Sequence, residues 1–137
     1  SQWDGPLVIK GIQTVADARK AVDSGATAVM LSNHGGRQLE SAPAPVDCIA
    51  PIADALRDKI EIICDGGVRR GNHVVKALAL GANACSIGRG YLFGLAAGGQ
   101  QGVEHALEIL RSEVDRTMAL MGCNSVKKLS KEYIRKN

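Results

Sequence analysis

Four short apolar runs, separated by stripes at helical spacing, constrain this chain more than any other feature. They lie at residues 7–10, 28–32, 60–65 and 84–88. Each is nearly continuous in apolar residues, the pattern of strands in a parallel sheet covered on both faces. Thr14 with Asp17 opens the first stripe like a capping box, Val15, Ala18 and Val22 line it, and Gly25 closes it. The second runs from near Asp47 through Ile49, Ile52, Ala53 and Leu56. Pro51 inside it predicts a helix start at about residue 49, where proline is tolerated in the first turn. The third carries Val74, Val75, Leu78 and Ala79 and ends at Gly81. The fourth carries Val103, Leu107, Leu110, Val114, Met118 and Met121 before Gly122. The order βαβαβαβα predicts a parallel α/β sheet with right-handed crossovers. A near repeat of residues 25–31 at 81–87 reads as repeated units of one architecture.

Within each run the chemistry-bearing residues fall at the C-terminal end. They are Lys10, then Ser32-Asn33-His34, then Asp65-Gly66-Gly67, then Gly88-Arg89 on the last strand. Convergence on that rim is how a (β/α)8 barrel or a doubly wound sheet builds its site. A whole barrel needs about 250 residues. The 137 residues here supply four βα units, half of a TIM barrel, with the closing helix. Standing alone, the first and last strands would leave raw edges. Four preceding βα units are therefore expected, in an N-terminal segment or another chain. The opening Ser1-Gln2-Trp3, without an initiator Met, reads as the interior of a longer protein or a trimmed chain.

Three constellations carry the candidate chemistry. In Ser32-Asn33-His34-Gly35-Gly36-Arg37 an imidazole and a guanidinium follow a strand end. Imidazole takes a proton near neutral pH, and the rigid guanidinium fork grips a carboxylate through two parallel hydrogen bonds. A proton acceptor beside a carboxylate clamp suits oxidation of a 2-hydroxy acid. In Asp65-Gly66-Gly67-Val68-Arg69-Arg70-Gly71 glycines expose backbone N–H groups at a helix start and Arg69 adds a cation, a setting for phosphate. Gly88-Arg89-Gly90 repeats that chemistry one strand on. Neither is a G-x-G-x-x-G pattern, so a nicotinamide site is disfavoured. Lys10, inside Leu7-Val8-Ile9-Lys10-Gly11-Ile12, is costly to bury unless it meets an anion or a polar ligand. His73 and His105 fall in helical stripes and receive no role, and Arg70 reads as a solvated neighbour of Arg69.

Composition removes several other classes. No run approaches the roughly 18 apolar residues of a membrane span, and no secretory leader opens the sequence. The net charge of +3 is concentrated in Lys127, Lys128, Lys131, Arg135 and Lys136. A solvated terminal helix is the expectation there, with a docking or membrane-surface tail as the alternative. The main body thus has no basic face for nucleic acid, and four aromatic residues are too few for base stacking. Cys48, Cys64, Cys85 and Cys123 form no C-x-x-C pair. They read as free or buried thiols of a reducing cytoplasm, and no metal site is expected.

The stretches at residues 8–12, 32–39, 65–71, 76–82 and 87–89 resemble the FMN-dependent 2-hydroxy acid oxidase and dehydrogenase family. That family includes glycolate oxidase, lactate and mandelate dehydrogenases and flavocytochrome b2. The resemblance covers nearly the whole chain and implies the C-terminal half of an FMN-binding (β/α)8 barrel domain. By resemblance, Lys10 lies at the N1/O2 edge of the flavin and Ser32 contacts the ring. His34 is the base and Arg37 the carboxylate clamp. Asp65, Gly66, Gly67, Val68 and Arg69, with Gly88 and Arg89, hold the ribityl phosphate end. It also implies a small 2-hydroxy acid substrate, a second electron acceptor (oxygen, quinone or cytochrome), a homo-oligomer, and relatives in peroxisomes or on membranes. Glu40 stands where an Asp is often seen, and the family's substrate tyrosines belong to the half not contained here. Two other readings use the same glycine and arginine residues. One is an FMN-dependent isomerase on a related barrel, which needs no His34–Arg37 pair. The other is a non-catalytic half-barrel that binds FMN or phosphate or serves as an assembly module.

Overall fold

The computed structural model describes residues 3–135. Strands β1 (Val8–Ile12), β2 (Ala28–Ser32), β3 (Glu61–Asp65) and β4 (Ala84–Ser86) form one parallel sheet in sequence order. Helices α1 (Val15–Asp23), α2 (Pro45–Leu56) and α3 (Gly71–Leu80) connect them, and α4 (Arg89–Leu120) follows. Ala18 and Ala21 of α1, Ile49, Ile52 and Leu56 of α2, and Ala77 of α3 share one core with Val29, Leu31, Ile62 and Cys64. The three helices therefore cover one face of the sheet. A doubly wound sheet reverses strand order and carries helices on both faces. Unreversed order with one covered face is the winding of a barrel segment. The sequence predicts strands covered on both sides; here the helix side is covered throughout and the other side only in part, with Ser32 buried and Val8 of β1 exposed.

Local chemistry sets the ends of the elements. The Thr14 hydroxyl accepts the Asp17 N–H and caps α1, and Gly81 closes α3 at φ +114. Four boundaries differ from expectation. β1 continues past Lys10 because Gly11, at φ +94, makes a bulge that returns Ile12 to register opposite Leu31. α2 starts at Pro45, not near residue 49, since a first-turn proline loses no helical hydrogen bond. Pro51 thus lies inside the helix at a cost of about 3 kcal/mol. Burial of Ile49, Ile52 and Leu56, worth about 1.5–3 kcal/mol each, outweighs it.

β4 ends at Ser86, opposite Asp65, because Gly66 at φ +123 turns β3 away and leaves nothing to pair with. Gly88 and Arg89 are accordingly not on the strand: Gly88 precedes α4 and Arg89 opens it. α4 starts fourteen residues before the apolar stripe and is broken at Gly98 and Gly99 into limbs 89–97 and 100–120. The limbs touch backbone to backbone at Gly94 and Gly102, where any side chain would collide.

Among the described residues the basic tail forms no α-helix. Short 3-10 turns at Val126–Lys128 and Lys131–Tyr133 fold it back onto α3, and Lys131 pairs with Asp54 of α2. Lys136 lies outside the described residues. All four cysteines are free. Burial pushes the Cys64 thiol up to about 11 and that of Cys85 to about 12, so both behave as small apolar core groups.

Candidate active site

The period of two along a strand sends alternate residues away from the helices. On that open side Lys10, Met30, Ile63 and Ala84 form one row, and Ser32, Asp65 and Ser86 form the last row before the C-terminal rim. Lys10 reaches up to this last row. Its ammonium pairs with the Asp65 carboxylate and donates to Ser32 Oγ at 3.2 Å. Ser32 Oγ donates to Asp65 Oδ2 at 2.7 Å and accepts the His34 backbone N–H at 3.1 Å. Burial works to raise the Asp65 carboxyl, but hydrogen bonds from Lys10, Ser32 and Ser86 prevail and hold it below its usual value of 3.8. The Lys10 charge, expensive in an apolar strand, is thereby matched.

His34 has φ +54, the one positive φ outside glycine among the described residues. Such backbone is uncommon for a side-chain-bearing residue and is held only where its surroundings over-determine it. Here the Ser32 hydroxyl holds the His34 N–H, and Asn33 Oδ1 holds that of Gly35 at 3.1 Å. The imidazole then lies over the β1 bulge. A Cβ on Gly11 would stand 3.1 Å from His34 Nε2, so the ring uses the space that glycine leaves.

The turn after β3 contains two successive left-handed glycines, Gly66 at φ +123 and Gly67 at φ +74. The Arg69 N–H after them donates to His73 Nδ1 at 3.3 Å. Gly67, Gly88 and Gly90 have open space where a side chain would stand, so the backbone itself can meet a ligand.

These parts surround a cleft of about 440 Å³, inside the range of about 300–1,000 Å³ for small-molecule sites. Lys10, His34, Arg37, Asp65, Gly66, Gly67, Val68, Arg69, Gly88 and Arg89 all line it. Ser32 does not: it is buried beneath and acts through Lys10, Asp65 and the His34 backbone. Among the lining residues Lys10, Arg37, Arg69 and Arg89 confront one carboxylate, so the cleft carries an excess of positive charge. Asp65, grouped by the resemblance with the phosphate end, is joined here to Lys10 and Ser32. A second, mostly apolar cavity of about 400 Å³ lies along the same Gly66–Val68 turn, between Pro45, Val46, His73 and Ala77.

Four contributors escape a reading of the sequence. Gly11 was legible in principle, since a glycine inside a strand marks a bulge or a close approach. His73, which the helical stripe leaves without a role, accepts the Arg69 N–H and holds the turn that carries it. Ser86 joins the Asp65 network from β4. Arg70 is not a lone solvated side chain: it pairs with Glu113 at 2.7 Å. Among the described residues no group of three or more His, Cys, Asp or Glu side chains could hold a metal, and no helix is long and apolar enough to cross a membrane.

Solved structures place this arrangement in a class. The chain superposes on (S)-mandelate dehydrogenase, a monotopic membrane protein, with a TM-score of 0.94 at 41% identity, covering 98% of this chain and 36% of that one. Its parallel α/β fold matches a part of TIM-barrel flavoenzyme structures. The family model for FMN-dependent dehydrogenase matches residues 1–136, and the chain belongs to that family. It is 50% identical over 133 residues to pre-mycofactocin synthase of Mycolicibacterium smegmatis, covering 97% of this chain and 33% of the relative. Against human 2-hydroxyacid oxidase 1 the figures are 48% over 132 residues, 96% and 36%. The chain thus spans about a third of the length of the curated relatives it matches.

Proposed function

We propose that the protein carrying this chain oxidises a small L-2-hydroxy acid to the 2-oxo acid with FMN, and that this chain is the C-terminal half of the barrel domain that does so. One observation carries the reading: His34, held in a left-handed backbone over Gly11, shares one cleft with Arg37, Lys10, Arg69 and Arg89. The residues present fit FMN. Arg69 and Arg89, with the open cradles at Gly67, Gly88 and Gly90, suit a phosphate monoester. Lys10 offers a cation to the electron-rich edge of the ring system, with Asp65 and Ser32 keeping it aimed into the cleft.

Arg37 grips the substrate carboxylate and so presents the 2-hydroxyl to His34, which takes the hydroxyl proton on an imidazole nitrogen. Bound FMN supplies the acceptor for the two electrons that leave with the α-hydrogen. The reading includes a second electron acceptor, oxygen, quinone or cytochrome, as the partner that would complete the cycle.

Four further βα units complete the barrel in this reading. Among the described residues both outer strands lack a partner on one side, and Leu7 just before β1, Val8 within it, and Leu92, Phe93 and Leu95 after β4 are exposed. Relatives with different names match the chain almost equally, at 48–50% identity. Recognition of the substrate side chain therefore falls to the complementary half. The free thiols fit a cytoplasmic setting, and a homo-oligomer follows the family's habit. The test is anaerobic mixing of the full-length protein with lactate, glycolate and mandelate. Flavin absorbance is expected to bleach with at least one, and a purified yellow protein that bleaches with none overturns the substrate assignment.

A further inference from the structure

The anion-binding turn carries an unusual burden for its composition. Between Asp65 and Arg69 it holds two glycines at positive φ, the residues with most backbone freedom to lose on ordering. Its start is fixed by the Asp65 network. Its far end runs into α3, whose N-cap residue, Arg70, makes no side-chain cap. The cap comes instead from α4. Glu113 Oε2 accepts the Gly71 N–H at 2.7 Å, and Glu113 Oε1 takes the Arg70 guanidinium at 2.7 Å. The Glu113 side chain is 17% exposed in this position, against 67% for Arg70. Its carboxyl is lowered, first by the Arg70 hydrogen bond and then by the Gly71 N–H. Gly71 packs so closely on the backbone of Glu113 and Val114 that any Cβ there would collide.

We infer that Glu113 is a positioning residue for the phosphate of the bound cofactor, acting from α4 through Arg70 and Gly71 on the turn that carries Arg69. The carboxylate does two things at once. It supplies the missing helix cap at the end of the dipole that favours negative charge. It also draws Arg70 outward and neutralises it, so Arg69 rather than Arg70 faces the cleft beside Arg89. Two adjacent arginines are thereby sorted, one to the ligand and one to the scaffold.

The inference rests on the FMN reading, and the test separates the two by comparing FMN with riboflavin, which lacks the phosphate. Apoprotein of the full-length chain is titrated with each. Glu113→Gln keeps the size and one acceptor oxygen but loses the charge that holds Arg70; Arg70→Met removes the partner. Both are expected to weaken FMN by about tenfold while leaving riboflavin within about twofold, so the preference for the phosphorylated flavin collapses. A general loss of folding would lower both affinities together, and that result overturns the positioning role, as does an unchanged FMN affinity in both variants. Wild-type protein that binds neither flavin overturns the FMN reading itself and this inference with it.

Discussion

The connection after β2, residues 33–44, and the turn after β3, residues 66–70, meet the same requirement in opposite ways. Each must hold two consecutive left-handed glycines still, Gly35-Gly36 in one and Gly66-Gly67 in the other. The first is fixed from beneath the cleft, by Ser32 Oγ on the His34 N–H and Asn33 Oδ1 on the Gly35 N–H. The second is fixed from behind, by His73 on the Arg69 N–H and Glu113 on the Gly71 N–H. The first therefore offers side chains, His34 and Arg37, and the second offers backbone and one fixed cation. In the proposed enzyme this separates reaction from retention. Damage to one connection should spare the function of the other.

The strongest attempt to break that division is His34→Ala. Loss of a positioned general base costs about 10²–10⁴-fold in rate. Turnover of the 2-hydroxy acid is expected to fall in that range with FMN still bound, read as colour retained without bleaching. A colourless variant would show that the β2 connection also retains the cofactor. Next in size is Arg69→Gln. Hydrogen bonds to charged groups are worth about 1.5–3 kcal/mol, so FMN should dissociate roughly ten- to a hundredfold more readily. The rate of the flavin-saturated variant should hold within a few-fold, and a fall in kcat with unchanged flavin affinity would reverse the assignment. Arg37→Lys sharpens the comparison within the first connection. A point charge replaces a two-pronged grip, so KM for the acid should rise about tenfold, mostly through binding. An unchanged KM would remove the carboxylate from Arg37.

Much of this was legible in the sequence, and the limits are physical. Strand and helix order followed from hydrophobic period, and the cleft residues from their place at strand ends. These are local properties, carried by residues within a few positions of one another. The start of α2 was misplaced because Pro51 looked like a helix start, whereas Ile49, Ile52 and Leu56 bury enough surface to retain an internal proline. The early limb of α4 has no apolar stripe at helical spacing to announce it, and the packing of Gly94 on Gly102 is visible only in the folded chain. Glu113 lies forty-two residues from Gly71, and no local pattern announces a helix capped from that distance. The side chains that line the cleft are legible from their place at strand ends; those that hold the backbone in place are not, because they meet it only in three dimensions.

The smallest expected effect concerns what acid does to the floor of the cleft. The Asp65 carboxyl lies below its usual value of 3.8 in the folded chain because Lys10, Ser32 and Ser86 bond its charged form more strongly than burial opposes it. A group lowered by folding contributes stability that is complete above its unfolded value. That contribution is lost as pH falls through the usual value toward the lowered one. The network joins β1, β2 and β3 at the rim, and its loss should release the Ser32 hydroxyl that holds His34. Denaturant midpoints of wild type and Asp65→Asn, followed from neutral pH down, isolate this share. At neutral pH the wild type should be the more stable by about 1 kcal/mol, the size of one net hydrogen bond. Below the carboxylate range the two should converge. Glu113 is lowered as well, so acid also loosens the brace behind the second turn, in both proteins alike. A gap that persists into acid would mean that Asp65 contributes by shape rather than by charge, and that the first connection does not depend on the ion pair beneath it.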